Sequence, residues 1–342
     1  MRADIDTTTV ERLVAEAATA PSMHNAQPWL FRYDRGRALL ELRGDPARSL
    51  PVTDPGNRSQ HLGCGAALFN LRVAAARAGW EPRVRILPEP ARPGLLARIS
   101  FLPGAGPDEE LAELHPALRR RRTSREPFSG EPVPGELKDG LSGAAIAEGA
   151  RLLFLDEDQV GSVLELAEEA AYRESVDEEV RREVARWIAP LAPGGTAPAA
   201  EGIPAAALGP RSYDGRAPVR DFTPDRRPPG QSVAVFEHRP CLGLLGTRHD
   251  RPASWLEAGQ AMERVLLQAT LDGLSTALSS QMLEWPELRW VVRGPFMAIG
   301  SPQMIIRLGY VDSAAPRSRS TTVSVRRPRA GASCRSARRA TA

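Results

Sequence analysis

The sequence is almost without lysine: of its 45 basic residues only Lys138 is one. That excludes chemistry run through a lysine, such as a pyridoxal Schiff base, and no G-x-x-x-x-G-K-[ST] stands anywhere to cradle a nucleotide. Cysteine is scarce as well. Cys64, Cys241 and Cys334 form an odd, scattered set without C-x-x-C, which fits a reduced, cytoplasmic protein. No run approaches the roughly 18 apolar residues of a membrane helix, and the start, MRADIDTTTVERL, lacks the apolar core of a signal peptide. Aromatic residues are only 5%, so Leu, Val and Ala must fill the interior. With 42% hydrophobic residues over 342 positions, that interior is large enough to exclude a mainly disordered chain.

A net charge of +3 suggests a polyanion binder until the charge is located. Residues 316–342 carry eight arginines and no acid, which leaves the preceding 315 residues at −5. The tail has no hydrophobic period and reads as basic and disordered, a solvated extension. The body lacks basic residues clustered with aromatics, so a nucleic-acid surface is not expected.

Periodicity predicts a helix over 7–20, paired strands over 29–33 and 38–42, a helix over 65–78 and a strand over 95–101. A second set follows: a helix over 134–147, a strand over 151–155, one long helix over 158–187, a strand over 241–245, a helix over 253–271 and a strand over 303–310. Between them, residues 190–230 hold nine prolines and six glycines, too many for regular elements, and read as a lid or binding loop. The halves repeat. Gly65, Ala67, Leu68, Ala75 and Gly79 align without gaps on Gly259, Ala261, Met262, Ala269 and Gly273, and Arg98-Ile99-Ser100-Phe101 resembles Arg307-Leu308-Gly309-Tyr310. Two diverged copies of one α+β unit, packed as an internal pseudo-dimer, is the economical reading.

Two stretches carry chemistry. In Ala20–Trp29 (APSMHNAQPW), Ser22, His24, Asn25 and Gln27 crowd hydrogen-bonding groups into one turn, suited to an uncharged ligand rich in acceptors. The plainer alternative, a turn whose Ser and Asn cap a helix, does not require His and Gln. In Arg119–Phe128 (RRRRTSREPF), Arg121, Arg122, Thr123 and Arg125 place guanidinium forks beside hydroxyls, as a phosphate requires; a solvated basic linker is the alternative. Other motifs are weaker. His61-x-x-Cys64 and His238-x-x-Cys241 could offer zinc ligands, but Cys64 and Cys241 stand at ordinary core positions. Gly63-Cys64-Gly65 lacks the third glycine of a dinucleotide loop, and Gly273–Ala277 follows a helix, unlike a hydrolase elbow.

Together the two stretches resemble the signatures A-P-S-x-x-N-x-Q-P-W and R-R-S-x-R-x-F of the FMN-dependent nitroreductase superfamily. Their order is reversed relative to ordinary members, which resembles the Acg-type single-chain branch. GCGAALFNLR, EGIPAAALGP, VRDF, WLEAGQAMERVLLQAT, LEWPELR and PQMIIRLGY extend the resemblance over about residues 5–315. It implies a nitroreductase-like α+β fold with an N-terminal half over 1–115, a C-terminal half over 116–315 that contains the lid, and one composite FMN site. The loop would come from one half and the arginines from the other. It further implies NAD(P)H as co-substrate, a small nitroaromatic or quinone oxidant as electron acceptor, and a monomer, because the dimer is internal. The flavin carries the reaction, so no catalytic side chain is assigned. Carried over with the loop and arginine residues are Ser279, from a segment 277–280 offering a backbone donor to the flavin, and Arg317 as a phosphate contact. The cation that steadies reduced flavin is left open between an arginine, protonated His24 and helix-end amides. The rival function is FMN storage beneath a closed lid; a dedicated biosynthetic redox step is a third.

Overall fold

The computed structural model describes residues 5–103, 108–188, 201–213, 218–223, 230–294 and 299–311. Helix α1 (Thr7–Ala17) is capped by Asp6, whose carboxylate accepts from Thr9 N at 2.8 Å. A loop leads into hairpin strands β1 (Trp29–Asp34) and β2 (Leu39–Gly44), then helix α2 (Arg58–Arg77). Strands β3 (Trp80–Ile86) and β4 (Leu95–Pro103) complete an antiparallel sheet of order β1-β2-β4-β3. Helix α3 (Glu109–Glu113) and the arginine stretch lead to α4 (Gly135–Ala147), β5 (Arg151–Phe154), α5 (Glu157–Val176) and α6 (Glu178–Arg186). A short parallel pair, β6 (Arg211–Ser212) and β7 (Val233–Ala234), precedes β8 (Cys241–Thr247), α7 (Pro252–Leu271), β9 (Ser275–Ser279), α8 (Gln281–Glu284), α9 (Pro286–Arg293) and β10 (Ser301–Gly309). The second sheet has the order β5-β8-β10-β9, also antiparallel.

The expected repeat is there in the topology. Reading β1, β2, α2, β3, β4 against β5, β8, α7, β9, β10 gives the same sheet order, with the last strand in sequence paired between the second and the third. Gly79 and Gly273 end the long helices at φ +78° and +79°, the left-handed stop that glycine adopts without strain. Aligned residues hold aligned places: Ile99 pairs with Leu40 and Val84, Leu308 with Cys241 and Thr276.

Helices α2 and α7 are buried along nearly their whole length and cross at the aligned glycines. A Cβ on Gly65 would lie 2.3 Å from the Leu256 carbonyl oxygen and 3.0 Å from Gly259 Cα; one on Gly259 would lie 2.1 Å from the Leu62 oxygen. One core gathers α1, α2, α4, α7 and the inner faces of both sheets. A second, smaller core around Val163, Leu244, Met282 and Ile305 lies beneath α5, α8 and α9.

Two expectations differ. The long helix over 158–187 is two helices, because Asp177 takes an extended conformation and its carboxylate accepts from Glu179 N and Val180 N, capping α6. Strands β3 and β9 fall outside the expected elements: β3 does alternate, Trp80, Pro82, Val84 and Ile86 against Glu81, Arg83 and Arg85, whereas β9 carries no clear alternation. Both are edge strands, where Pro82 and polar residues are tolerated.

Gly65→Ala or Gly259→Ala should destabilise the fold by about 3 kcal/mol or more, since a methyl cannot enter backbone-to-backbone contact without separating the helices. Gly143→Ala, inside α4 with nothing within 4 Å of the added methyl, should instead stabilise by roughly 0.5–1 kcal/mol. Denaturant midpoints of the three variants test the contrast.

Candidate ligand site between the two halves

The loop after α1 is held in an unusual backbone shape. His24, Asn25 and Gln27 all have positive φ, at 51°, 56° and 52°, which costs non-glycine residues of order 1 kcal/mol each. Ser22 closes the turn: its Oγ accepts from Gln27 N at 2.9 Å and its carbonyl from Asn25 N at 3.0 Å. It therefore braces the loop and caps no neighbouring helix. The Gln27 carbonyl accepts from Arg48 Nη1 at 2.6 Å, and Arg48 also pairs with Glu201. This bracing turns His24 inward, 5% exposed, with no partner for Nε2 among the described residues. Burial, with Arg220 and Arg125 nearby, holds its pKa well below the ordinary imidazole value. His24 is thus neutral at pH 7, which removes it from the three candidate cations.

The arginine stretch divides by burial. Arg119, Arg120 and Arg122 are exposed, whereas Arg121 is buried and Arg125 half-buried. Arg122 Nη1 donates back to the Arg121 carbonyl at 2.7 Å. Thr123 bridges to Thr276, and Ser124 N donates to the Thr276 carbonyl at 2.8 Å, so the stretch lies along β9. Arg121 Nη2 donates to Thr19 O at 3.3 Å, which ties it to the root of the loop. Arg125 has no carboxylate partner among the described residues. Its Nη1 donates to the Ala207 carbonyl at 2.7 Å, its guanidinium lies 5.1 Å from the Phe222 ring, and burial beside Arg220 lowers its pKa to about 10.

The Pro/Gly-rich segment joins the two stretches. Asn25 Nδ2 donates to Gly202 O at 2.9 Å while Gly202 N donates to Asn25 O at 3.1 Å. Ile203 and Leu208 of the IPAAAL run are buried. Gly209, at φ +73°, packs so closely on Arg125 that a Cβ would lie 2.6 Å from the arginine Cβ. The Phe222 ring meets His24 edge-on at 5.7 Å and lies 5.3 Å from the Arg220 guanidinium. Arg220 is buried between Glu174 of α5 and Glu284 of α8, and Ser280 Oγ donates to Glu284 at 2.8 Å.

The structure therefore brings His24, Asn25, Gln27 and Arg125 to one place through this segment, with Ser22 behind them. Arg121, Arg122 and Thr123 adjoin. Ser279 is the last residue of β9, paired with Ile305 and one step from Ser280. Arg317, the tail 316–342 and parts of 190–230 lie outside the described residues. Arg220 and Phe222 had a signal in the VRDF motif, which assigned them no role; nothing in the sequence singled out Arg48. Among the described residues no His, Cys, Asp and Glu cluster could hold a metal, and His61 Nδ1 lies 2.6 Å from the Asn57 carbonyl instead. No described helix is long and apolar enough to cross a membrane. An imidazole with a free nitrogen beside an uncompensated, half-buried arginine suits an anionic ligand with a polar heterocycle.

No family model matches the chain. Among curated proteins it is 33% identical over 306 residues to the Mycobacterium tuberculosis protein named "Putative NAD(P)H nitroreductase Rv3131", covering 89% of this chain and 86% of that one. It is 32% identical over 314 residues to the "Putative NAD(P)H nitroreductase acg" of the same species, covering 89% and 90%. Two solved structures are similar more distantly: a nitroreductase with bound FMN from Bacteroides fragilis (15% identity, TM-score 0.38, 61% of this chain and 94% of that one) and a BluB-like flavoprotein from Clostridium difficile (12%, 0.38, 61% and 95%). The chain belongs to the NAD(P)H nitroreductase family of the two mycobacterial relatives.

Arg220→Leu should cost about 3–5 kcal/mol, because it leaves two buried carboxylates without their cation. Burial, with Glu284 beside it, already raises Glu174 to about 7 against the pull of Arg220. A carboxyl whose folded pKa is raised holds its proton more tightly folded than unfolded, so its contribution is present at low pH and lost as pH rises. The penalty should therefore be smaller at pH 5, where Glu174 is protonated, than at pH 8. Urea unfolding of both proteins at the two pH values tests it; an equal penalty would contradict the assignment.

Proposed function

We propose that the chain is an FMN-dependent oxidoreductase that uses NAD(P)H to reduce a small nitroaromatic, quinone or similar acceptor. The carrying observation is the meeting of His24, whose buried Nε2 has no partner among the described residues, with Arg125, which no described carboxylate neutralises. A buried cation without a counter-charge is costly unless an anion supplies it. The donor set fits FMN on that ground: the arginine stretch suits one terminal phosphate, and the braced loop suits a heterocycle or a ribityl chain.

FMN bound there would supply the chemistry, accepting hydride from NAD(P)H and passing it on. Arg121, Arg122, Thr123 and Arg125 would hold the phosphate, with Arg317 as a further contact. Ser22, His24, Asn25 and Gln27 would hold the rest, and Ser279 with its neighbours would offer a backbone donor to the ring. Neutral His24 serves as a hydrogen-bonding group, which leaves an arginine or helix-end amides to face negative charge. Arg220 already has two carboxylates and Arg125 is given to the phosphate, so helix-end amides are the better placed group. The reading includes two halves, 1–115 and 116–315, acting as a cytoplasmic monomer with one site, and a basic tail after 316.

Purified protein should be yellow and bind one FMN per chain. Arg125→Ala should weaken FMN by about 1.5–3 kcal/mol, the range for a hydrogen bond to a charged group, while exposed Arg119→Ala should matter far less. Equal losses in a flavin-fluorescence titration would reduce the stretch to a basic surface.

One alternative is FMN storage beneath a lid, with IPAAAL against the ring; it would build on the contacts that residues 201–213 and 218–223 make with both site stretches. Replacing 192–228 by a short Gly-Ser linker separates the two. For an enzyme the parent already oxidises NADPH with a quinone, and the cut alters KM; for a store, only the cut protein does so. If neither flavin release nor reduction rate changes, the segment does not cover the site.

A further inference from the structure

Five of the eight buried side-chain polar atoms without a hydrogen-bond partner of good geometry among the described residues belong to three residues: Arg121 Nε and Nη1, Glu263 Oε1 and Oε2, and Asn70 Oδ1. The Asn70 amide donates to Thr19 Oγ1 at 3.3 Å and, with Arg121, favours the ionised Glu263 carboxyl. Asn70 comes from α2 and Glu263 from α7, four residues beyond the crossing glycine. Glu263 is 0% exposed, and its Oε1 lies 3.6 Å from Arg121 Nε, close enough for charge attraction but longer than a hydrogen bond. Other cations on the packed elements are taken: Arg72 and Arg264 by Glu148, Arg307 by Glu237, and His115 lies 3.0 Å from Glu16. Among the described residues Arg121 is the only cation set against Glu263. Arg121 thus stands between one buried carboxyl and the place where the proposed function puts a phosphate.

We propose that Glu263 is a positioning residue for Arg121, holding the guanidinium through its charge and taking up one proton from solvent when a phosphate dianion claims that guanidinium. The inference rests on the phosphate reading of the arginine stretch. The chemistry balances simply. The dianion brings two negative charges beside Arg121, the carboxylate gains H⁺ to become a neutral acid, and Arg121 is left to the phosphate. Burial already raises Glu263 to about 7 against the pull of Arg121, so a competing anion tips it toward the acid near neutrality. Because a phosphomonoester has its second pKa near 6, the flavin is a dianion above pH 7 and adds no pH dependence of its own there.

The test is an FMN titration by fluorescence quenching of the full chain between pH 7 and 8.5. Proton uptake on binding means that affinity falls as pH rises, by up to about tenfold per unit. Glu263→Gln should flatten that slope, and riboflavin, which has no phosphate, should show no slope with either protein. A slope for FMN that survives in Glu263→Gln overturns the proposal. If Glu263→Gln does not fold, calorimetry of the parent at pH 7.5 in two buffers of different ionisation enthalpy decides: uptake of a fraction of a proton or more supports it, and none overturns it. Failure of the parent to bind FMN at any pH would instead sink the phosphate reading itself.

Discussion

Everything in this molecule hangs on the crossing of α2 and α7. At Gly65 and Gly259 the two backbones touch, each glycine occupying the space that the other's Cβ would need. That contact brings two four-stranded sheets to opposite sides of one helix pair, and so fixes how far the loop after α1 stands from β9 and the arginine stretch. The proposed site, which draws on both halves, would depend on that distance. The crossing also explains why Ala fills so much of both helices: with few aromatics, small side chains let buried helices approach closely over their length.

The crossing is close to symmetric, but the polar groups around it are not. Four residues past the glycine stands Glu263 on one helix and Phe69 on the other; one further stands Arg264 on one and Asn70 on the other. After α4 the chain turns through Glu148, Gly149 and Ala150 straight into β5, where the first half has the long braced loop. Glu148 there binds Arg72 and Arg264, and Gln260 joins them. One side of the pseudo-symmetric crossing is thus closed by a satisfied ion-pair network. The other is left with unsatisfied groups. Unpaired buried polar atoms are expensive, and their concentration on one side is what the proposed ligand reading would relieve.

Much of this was legible in the sequence where local pattern and tertiary demand agree. The repeated glycines, the two strand patterns within 29–42 and the largely apolar stretch 303–310 each mark their elements to within a few residues. Strand β3 was readable from the alternation of Trp80, Pro82, Val84 and Ile86 with charged residues, Pro82 arguing against a strand away from an edge; β9 was not, because an edge strand needs only backbone pairing and STALS has no period. The break at Asp177 was readable in principle: Asp before Glu178-Glu179 is a helix start, hidden by an unbroken helical period on both sides. At the site, the composition of both stretches was plain, whereas the partner of each group was not. Arg121 and Arg125 differ by four positions, yet one faces a buried carboxyl and the other a carbonyl and an aromatic ring. Burial decides that difference, and no spacing rule encodes it.

The segment 201–223 shows how strain and closure are linked. Three residues with positive φ present the Asn25 amide and carbonyl outward, and both are spent on Gly202. Those two bonds offset part of the cost of the loop's shape. Arg220 then fixes the far end through Glu174 and Glu284, and Phe222, two residues on, is delivered to His24. These two anchorages differ in kind. Neutral hydrogen bonds at Asn25 exchange readily with water at about 0.5–1.5 kcal/mol net each, while parting a buried charge triad costs several times more. The Gly202 end is held in addition by the Arg48–Glu201 ion pair, which is partly exposed and therefore weaker than the buried triad.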